Sequence, residues 1–572
     1  MPAIIPVMRV LPPSGKRTVS SSIRPPASSI GMKAPARPDA SRTRISILMP
    51  VYDVPSGILD EAIKSVLRQS YLGWELCICD CSTSNETLQL LEGYRGADPR
   101  IKIIRSLENL PIAKATNLAA EFATGQFVAF LSHDCTIELN AIDLVVRAID
   151  RNIEADVVYV DEDKIDAENR RIEPYLKPDW SPELLLSTMY VGRFLVVRKS
   201  LFLALDGLRD RYLGSQDYDF ALKATAKARQ VIHVPRVLHH VRKSASSAPT
   251  AADADPAALL NRKRALADFV QERVPGATAV EGLFAGSYRI KWPIDASRPV
   301  TLLILTGSRR RNVEGRGDIL LVENAVKSII ERSSYRNYRI LVLDDGALPV
   351  AARDRFAEAR VTIENYRFEG AFNYYRKLNH ALSLVETEDV VVLNDDLEVI
   401  APDWIEALLE YSRQPEVGVV GAMLVYPNDR IQHAGVILGV NGPTTHIFCN
   451  QAAKDVGYCG FTHLIRNYSA VTGALHAMRM GVVREVGGYD SSMAVDYGDI
   501  DFCLRVRDAG YRIVYTPYAK LYHFEGSSFT RKEPNKADQA YFLERWRNQV
   551  TSDPYYNPGL PRDRLDCHVT RW

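Results

Sequence analysis

The stretch Asp389-Val-Val-Val-Leu-Asn-Asp-Asp-Leu-Glu398 indicates the fold class of this chain. Its apolar run, 390–393, is too short for a helix, and its β-branched side chains favour a buried strand. The strand leads directly into Asn394, Asp395 and Asp396, and open α/β folds bind ligands where their strands end. Adjacent carboxylates repel one another unless a cation or proton lies between them, so we expect a divalent cation or a ligand here. A polar turn that caps the next helix is the alternative.

Length and composition indicate a soluble globular protein of two or three domains, because 572 residues exceed one ordinary domain. A net charge of +1 gives no argument for a nucleic-acid partner. No apolar run approaches the roughly 20 residues that span a bilayer, and the N-terminus lacks the apolar core of a signal peptide. Eight cysteines without paired metal-ligand spacing predict reduced thiols. We therefore expect a cytoplasmic protein.

Residues 1–43 are rich in proline and serine and carry seven basic residues against one acid. Such a segment cannot bury enough apolar area to order itself, so we predict a disordered tail. Its charge allows two interpretations, a solvated tail or a peripheral contact with anionic lipid or a partner.

Strands and helices alternate from residue 45 onward, and the alternation restarts after a linker-like stretch at 244–258 and a helix near 259–272. This pattern predicts an α/β protein with mainly parallel sheets covered by helices. In the first half the predicted strands are 45–52, 74–79, 101–105, 126–131 and 156–160, and the predicted helices are 56–69 and 112–123. In the second half the predicted strands are 300–306, 338–343, 390–393, 417–426 and 431–440, and the predicted helices are 322–332, 372–385 and 404–411.

Matched spacing indicates that the second half is a duplicate of the first. Both halves contain a glycine, an arginine, a second glycine, an acidic pair and a histidine in that order: Gly192, Arg198, Gly207, Asp217, Asp219 and His240, then Gly473, Arg479, Gly488, Asp499, Asp501 and His523. The separation of the first glycine from the arginine is the same in both halves, and so is its separation from the second glycine. The separation of the first acid from the histidine differs by a single residue between the halves.

The predicted domain organisation follows from the duplication. We expect a tail at 1–43, a first domain at 44–243, a linker and helical connector at 244–298, a second domain at 299–535, and a C-terminal extension at 536–572. The stretch from Asp396 to Gly473 is nineteen residues longer than the equivalent stretch from Asp134 to Gly192, so the second copy carries an insertion there.

A set of short motifs in a fixed order resembles family 2 glycosyltransferases of the GT-A fold, in particular tandem-domain bacterial enzymes of O-antigen and related surface-polysaccharide synthesis. The resemblance covers roughly 45–243 and 300–532. Its motifs lie at 46–52, Asp80, Asn117, 125–134 and 215–219 in the first half, and at 393–396, 471–474, 486–490, 499–505 and 523–528 in the second. The resemblance implies two tandem GT-A domains with Rossmann-like sheets.

The resemblance also implies an activity. An inverting transferase would move a sugar from a UDP- or dTDP-linked donor to a growing bacterial glycan, on a lipid carrier at the inner face of the cytoplasmic membrane. The leaving diphosphate gathers negative charge, so Mn²⁺ or Mg²⁺ would lower the barrier. The acceptor hydroxyl loses a proton as it attacks, so a carboxylate would act as general base.

The resemblance implies catalytic and metal-binding roles for three residues of the second domain. Asp499 matches the general base of the family, and Asp396 and His523 match its metal site. Three further residues match its nucleotide-sugar side: Asp344, Asn394 and Asp395. On the acceptor side we expect Gly473, Ala474 and Asp501. The alternatives are a helix N-cap for Asp499 and an ordinary strand-end histidine for His523.

The first domain departs from the family pattern because Asp134 is the only carboxylate in the stretch 132–135. The resemblance places Asp217 at the base position, His240 at the metal position, and Asp80 and Asp134 on the nucleotide-sugar side. Two interpretations stay open for this copy. It is either an active site with weakened metal dependence or a binding or scaffold copy.

Two other functions compete with transfer for the whole chain. A non-catalytic glycan- or nucleotide-binding scaffold has no need of a general base, so Asp396, Asp499 and His523 together argue against it. A nucleotidyltransferase would need a glycine-rich basic fingerprint after the first strand, and residues 51–53 and their surroundings lack one.

Overall fold

The structure of the chain is a computed structural model, and it describes residues 43–243, 255–368, 370–524 and 534–569. The predicted tail, apart from Thr43, lies outside the described residues, as do 244–254 of the linker and 525–528 of the last motif. Across the described ranges, no helix is both long enough and apolar enough to cross a lipid bilayer.

The first half is built around one mixed sheet. Its strands are β1 Ile45–Val51, β2 Trp74–Asp80, β3 Ile101–Arg105, β4 Phe127–Phe130, β5 Cys135–Ile137, β6 Ala155–Ile165, β7 Arg171–Tyr175, β8 Leu195–Arg198 and β9 Gln230–Arg242. Its helices are α1 Ser56–Leu67, α2 Asn85–Tyr94, α3 Ile112–Glu121, α4 Ala141–Arg151, α5 Pro182–Ser187, α6 Lys199–Ala204 and α7 Gln216–Lys227. A connector follows, with α8 Pro256–Arg273, β10 Thr278–Glu281 and β11 Tyr288–Lys291.

Strand β1 shows why helices cover both faces of this sheet. Side chains alternate across a strand, and β1 is apolar on both sides. Ile45, Ile47 and Met49 pack into the core that contains α1 and α4. Leu48 packs into the core that contains α3. Both faces of the strand are therefore buried, as a helix-covered sheet requires.

The second half repeats this architecture. Its strands are β12 Val300–Thr306, β13 Arg310–Val313, β14 Gly317–Leu320, β15 Tyr338–Asp344, β16 Thr362–Asn365, β17 Asp389–Asn394, β18 Leu397–Val399, β19 Val417–Val425, β20 Ile431–His433, β21 Val436–Leu438, β22 Thr444–His446, β23 Arg466–Asn467, β24 Leu475–Arg479 and β25 Arg512–His523. Its helices are α9 Leu321–Arg332, α10 Val350–Glu358, α11 Tyr374–Ser383, α12 Trp404–Ser412, α13 Met480–Glu485, α14 Gly498–Asp508 and α15 Lys536–Thr551.

Strand order confirms the duplication. The first sheet runs β3-β2-β1-β4-β8-β6-β9-β5 and the second runs β16-β15-β12-β17-β24-β19-β25-β18, so each of these eight strands has a counterpart at the same place in the other sheet. Register agrees as well, because Phe127 lies opposite Arg198 in one sheet and Asp389 lies opposite Arg479 in the other. Residues of the two halves can therefore be matched one to one near the strand ends.

The sheets are mixed, whereas the sequence pattern predicted mainly parallel ones. Strands β3, β2, β1 and β4 are mutually parallel, as the strand-helix alternation requires. Strand β8 then runs antiparallel to both β4 and β6. The regular alternation of strands and helices in the sequence ends at β4. The sequence pattern after β4 does not indicate whether the later strands run parallel or antiparallel to it.

The predicted strand 431–440 is two short strands in the structure. It breaks at Gly435, which has a φ of 113°. A Cβ atom there would lie 2.2 Å from the ring of Tyr468, so only glycine fits this bend. After the bend, β21 pairs with β22 in a separate two-stranded sheet instead of extending the main sheet.

Buried polar contacts join the two halves. The Ser181 hydroxyl donates to Oδ1 of Asn467 at 2.8 Å and accepts from its backbone N–H at 3.1 Å. The Arg512 guanidinium lies 2.9 Å from the carboxylate of Glu183. Because all four groups are wholly or mostly buried, separating the halves would leave them without partners.

The C-terminal residues also contact both halves. The side chain of Asn557 donates to the Asp161 carboxylate and to the backbone carbonyl of Lys177, each at 2.8 Å. The Asp553 carboxylate accepts a 2.7 Å hydrogen bond from the backbone of Leu438 in the second half. The stretch predicted as an extension is thus part of the interface between the halves.

Replacement of Asp389 tests the charge network at the start of β17. Its buried carboxylate accepts 2.7–2.8 Å hydrogen bonds from Arg298 and Arg413. We expect Asp389→Asn to lower the free energy of unfolding by about 3 kcal/mol, because two arginines lose a buried counter-charge. Urea unfolding followed by tryptophan fluorescence measures this. The control is Glu388→Gln, whose exposed side chain also pairs with Arg298; equal losses in both variants would contradict the prediction.

Candidate active site

The predicted metal pair is in direct contact. Strand β18 pairs antiparallel with β25, and this register sets Leu397 opposite His523. Nε2 of His523 therefore lies 3.1 Å from Oδ1 of Asp396. The backbone N–H of Phe524 donates to the Asp396 carbonyl at 3.0 Å. Two residues far apart in the sequence thus meet at the carboxyl end of β17.

Asp395 lies beside this pair in a site with excess negative charge. Its carboxylate accepts a 2.6 Å hydrogen bond from the Thr306 hydroxyl at the end of β12. Burial and the neighbouring Asp396 raise the pKa of Asp395 to about 6. Thr306 and the Lys377 ammonium oppose this rise but do not cancel it. A cation placed here would relieve the repulsion between the two carboxylates.

Asp499 lies at the first turn of α14 and is held by a backbone contact. Its Oδ2 accepts a 2.7 Å hydrogen bond from the N–H of Gly473, and its Oδ1 accepts from its neighbour Ile500. A Cβ atom on Gly473 would lie 2.8 Å from the Cβ of Asp499, so glycine allows the approach. Asp499 is partly accessible. Ala474, which follows Gly473 in the sequence, has a small side chain and adds no charge to the site.

Tyr374 links Asp499 to the end of β17, and the sequence did not single it out. Its hydroxyl lies 3.4 Å from Oδ1 of Asn394. Burial, and then the charges of Asp499, Asp395 and Asp396, raise the pKa of Tyr374. Its ring therefore lies among the carboxylates of the site as a neutral hydrogen-bonding group. A tyrosine next to another tyrosine at the start of a helix looks like a core residue, so no sequence signal marked it.

His433 comes from the segment inserted in the second half. It is fully buried, and its ring packs edge-on against His446 at 4.9 Å between centroids. Burial, then His446, His476 and His523, hold the pKa of His433 well below its ordinary value. Among the described residues, Nδ1 of His433 has no hydrogen-bond partner. The insertion was the sequence signal that pointed to this region.

Asp501 and Asp344 are both buried, and their carboxylates are hydrogen-bonded to neighbouring protein groups. The fully buried carboxylate of Asp501 accepts hydrogen bonds from Arg505 and from the Trp546 indole. Asp344 accepts hydrogen bonds from Ser308, from Arg353 and from the backbone at residue 348. Neither carboxylate has an accessible face in this structure.

The first domain does not have a histidine where the second has His523. Strand β5 pairs with β9 so that Cys135 lies opposite Val241. Cys135 follows Asp134 as Leu397 follows Asp396, so Val241 is the counterpart of His523. The prediction that assigned this place to His240 was wrong by one residue.

His240 points to the other face of the strand, since neighbouring side chains alternate. Its Nδ1 lies 2.5 Å from the Asp163 carboxylate and its Nε2 lies 3.5 Å from Glu138. Asp217 accepts from the N–H of Tyr218, and the buried carboxylate of Asp80 accepts from Ser82. The structure therefore does not bring His240 together with Asp134.

The fold and the site together define a class, an α/β protein of two tandem copies with a cleft of carboxylates and histidine at a strand end. Residues 46–203 match the model of the family "Glycosyl transferase family 2", and residues 318–541 match that of "Glycosyltransferase like family 2". The chain belongs to glycosyltransferase family 2 and carries two of its domains in tandem.

Two relatives align with nearly the whole chain. The uncharacterized protein y4gI of Sinorhizobium fredii is 35% identical over 545 residues, which are 92% of this chain and 59% of that protein. The O-antigen biosynthesis protein RfbC of Myxococcus xanthus is 30% identical over 538 residues, which are 93% of this chain and 41% of RfbC. Among solved structures, S. aureus TarS 1–349 is 20% identical, with a TM-score of 0.31. The match covers 40% of this chain and 71% of the TarS chain. The chain spans about half the length of the two sequence relatives.

Two acids of α14 that lie two residues apart, Asp499 and Asp501, give a test that needs no substrate. We expect Asp501→Asn to lower the free energy of unfolding by about 2 kcal/mol, because charge-assisted hydrogen bonds from Arg505 and Trp546 are weakened. Asp499→Asn serves as the matched comparison, and we expect a change below about 0.5 kcal/mol at this partly accessible site. Chemical unfolding of the full chain measures both. A larger loss in Asp499→Asn would contradict the assignment of Asp501 to packing.

Proposed function

We propose that the chain transfers a sugar from a UDP- or dTDP-linked donor to a growing bacterial surface glycan, and that the second domain holds the working site. The contact of Asp396 with His523 supports the proposal most directly. The membership of family 2 gives the reaction class, and the similarity to RfbC, an O-antigen biosynthesis protein, favours a surface glycan as product. A lipid-linked acceptor would place the protein in the cytoplasm with a peripheral contact at the inner membrane face, and we propose no nucleic-acid partner.

The proposed reaction is a single displacement with inversion at C1 of the sugar. The acceptor hydroxyl forms the new bond to C1 as the bond from C1 to the diphosphate oxygen breaks. Asp499 accepts the hydroxyl proton, and the hydrogen bond from Gly473 fixes the direction of its carboxylate. Ala474 leaves space on the acceptor side, and Tyr374 and Asn394 offer polar groups to the donor sugar.

Asp396 and His523 fit a divalent cation, Mn²⁺ or Mg²⁺, because a carboxylate and an imidazole are both suitable ligands. In the part of the chain that the structure describes, no group of three or more such side chains is arranged to hold a metal alone. Cations that keep few protein ligands usually bind substrate phosphates as well. When bound, the cation would offset the charge of the leaving diphosphate.

Asp499→Asn tests the proposed base. We expect nucleoside diphosphate release in the presence of a lipid-linked glycan acceptor to fall at least about 100-fold, because the proton acceptor is lost. Donor binding should stay within about twofold, since the substitution keeps the size and shape of the side chain. Asp508→Asn, on the exposed far end of the same helix, is the control. Unchanged turnover in Asp499→Asn would rule out this role.

Metal removal tests the second part of the proposal. We expect chelator to abolish turnover and added Mn²⁺ or Mg²⁺ to restore it. His523→Ala should raise the metal concentration for half-maximal activity at least about tenfold, since one of two protein ligands is lost. His568→Ala is the control for loss of a histidine outside the site. Turnover that persists in chelator with a wild-type rate would refute the assignment of Asp396 and His523.

A further inference from the structure

The first domain does not fit a divalent metal at the place where the second does. Asp134 is the counterpart of Asp396, and Val241 replaces His523. The counterpart of Asp395 is His133, whose Nδ1 lies 3.1 Å from the Pro50 carbonyl. Asp134 thus lacks the imidazole that β25 provides in the second domain, and the position next to it carries His133 instead of a second carboxylate.

An arginine lies in this cleft instead. Arg193 follows Gly192 as Ala474 follows Gly473, so a cation replaces a small neutral side chain. Its Nε lies 3.8 Å from Oδ2 of Asp217, and 60% of its side chain is accessible. Desolvation lowers the pKa of Arg193, but the charges of Asp217, Asp134 and other neighbours outweigh it and raise the pKa. Arginine is thus permanently charged here.

The backbone next to Arg193 packs against a buried ion pair, which Lys177 and Glu162 form. The buried ammonium of Lys177 donates to the carbonyls of Val160 and Val191 at 2.8 and 3.0 Å, and it lies 3.4 Å from the Glu162 carboxylate. A Cβ atom on Gly192 would lie 2.5 Å from both charged groups, so the backbone rests directly on this ion pair. The guanidinium therefore extends into the cleft from a fixed base and not from a loose loop.

We propose that the first domain binds the diphosphate of a nucleotide without a divalent metal, and that Arg193 supplies the positive charge. A guanidinium can donate two parallel hydrogen bonds to phosphate oxygens, which a point charge cannot. The pairing with Asp217 is long and exposed, and such pairs contribute little in water, so exchanging it for a diphosphate is inexpensive. The inference rests on the proposed function only for the identity of the ligand, a nucleoside diphosphate or its sugar ester.

The proposal changes the expected role of Asp217. Asp217 has a cation beside it, with Nε of Arg193 at 3.8 Å from its Oδ2. Its counterpart Asp499 has Ala474 in that place. The first domain therefore acts mainly as a nucleotide-binding site. Its metal requirement differs from that of the second domain, although both domains belong to one chain.

Binding of UDP and of dTDP to the full chain tests the proposal, by calorimetry with chelator and with Mn²⁺. In chelator we expect one site per chain, weakened about 10- to 100-fold in Arg193→Ala and unchanged in His523→Ala. Arg193→Lys should recover part of the affinity, because it restores the charge without the paired donors. Arg211→Ala, another exposed arginine paired with an aspartate, is the control. Equal thermal midpoints of the variants verify folding.

The outcomes separate this inference from the proposed transfer. No binding in chelator, with turnover intact in Mn²⁺, overturns the metal-free site and leaves the transfer proposal standing. Binding in chelator that Arg193→Ala does not weaken also overturns it. Binding that depends on Arg193, without turnover of any donor, supports the site and refutes the transfer. Absence of nucleotide binding in both conditions refutes both.

Discussion

The pairing of the three-residue strand β18 with β25 is the constraint on which the candidate site depends. It sets Leu397 opposite His523, and so it brings an imidazole to 3.1 Å from the Asp396 carboxylate. A shift of one residue in such a pair turns every side chain to the other face. The first domain has the same strand pairing with valine at the equivalent place, Val241. Its neighbouring histidine contacts Asp163 on the opposite face, so one fold carries two different sites.

The proposed function gives both sites the same electrostatic problem, which is to attract a diphosphate to a strand end that carries carboxylates. The second domain has Asp395 and Asp396 side by side, and the pKa of Asp395 is raised to about 6 by burial and by Asp396. Negative charge of this density favours a cation that the diphosphate can share. The first domain keeps one of these carboxylates and provides Arg193 from its own chain. In the proposed first-domain site this resident guanidinium takes the place of a metal, and it lies 3.8 Å from Asp217.

The sequence was sufficient for the strands and the duplication, because β-branched runs and matched spacing are local or countable signals. It was insufficient for register, since a spacing that differs by one residue between the halves does not tell whether the extra residue lies in a loop or in a strand. The spacing therefore predicted His240 at the place where Val241 lies. Asp501 shows a second limit, because residues two apart on a helix point about 200° apart, so it faces Trp546 while Asp499 faces Gly473. Tyr374 could be recognised as a site residue only from the fold, which places it near Asn394 and the carboxylates of the site.

The C-terminal segment explains why the two sites belong to one unit. Asn557 is buried and donates to the carbonyl of Lys177, whose ammonium supports the backbone beneath Arg193. A few residues earlier, Asp553 accepts hydrogen bonds from Leu438 and Ser469, in the inserted segment that carries His433. Buried polar groups of this kind are stabilising only when all their partners are present. The segment thus makes buried hydrogen bonds to both halves, and an isolated domain would lose its share of them.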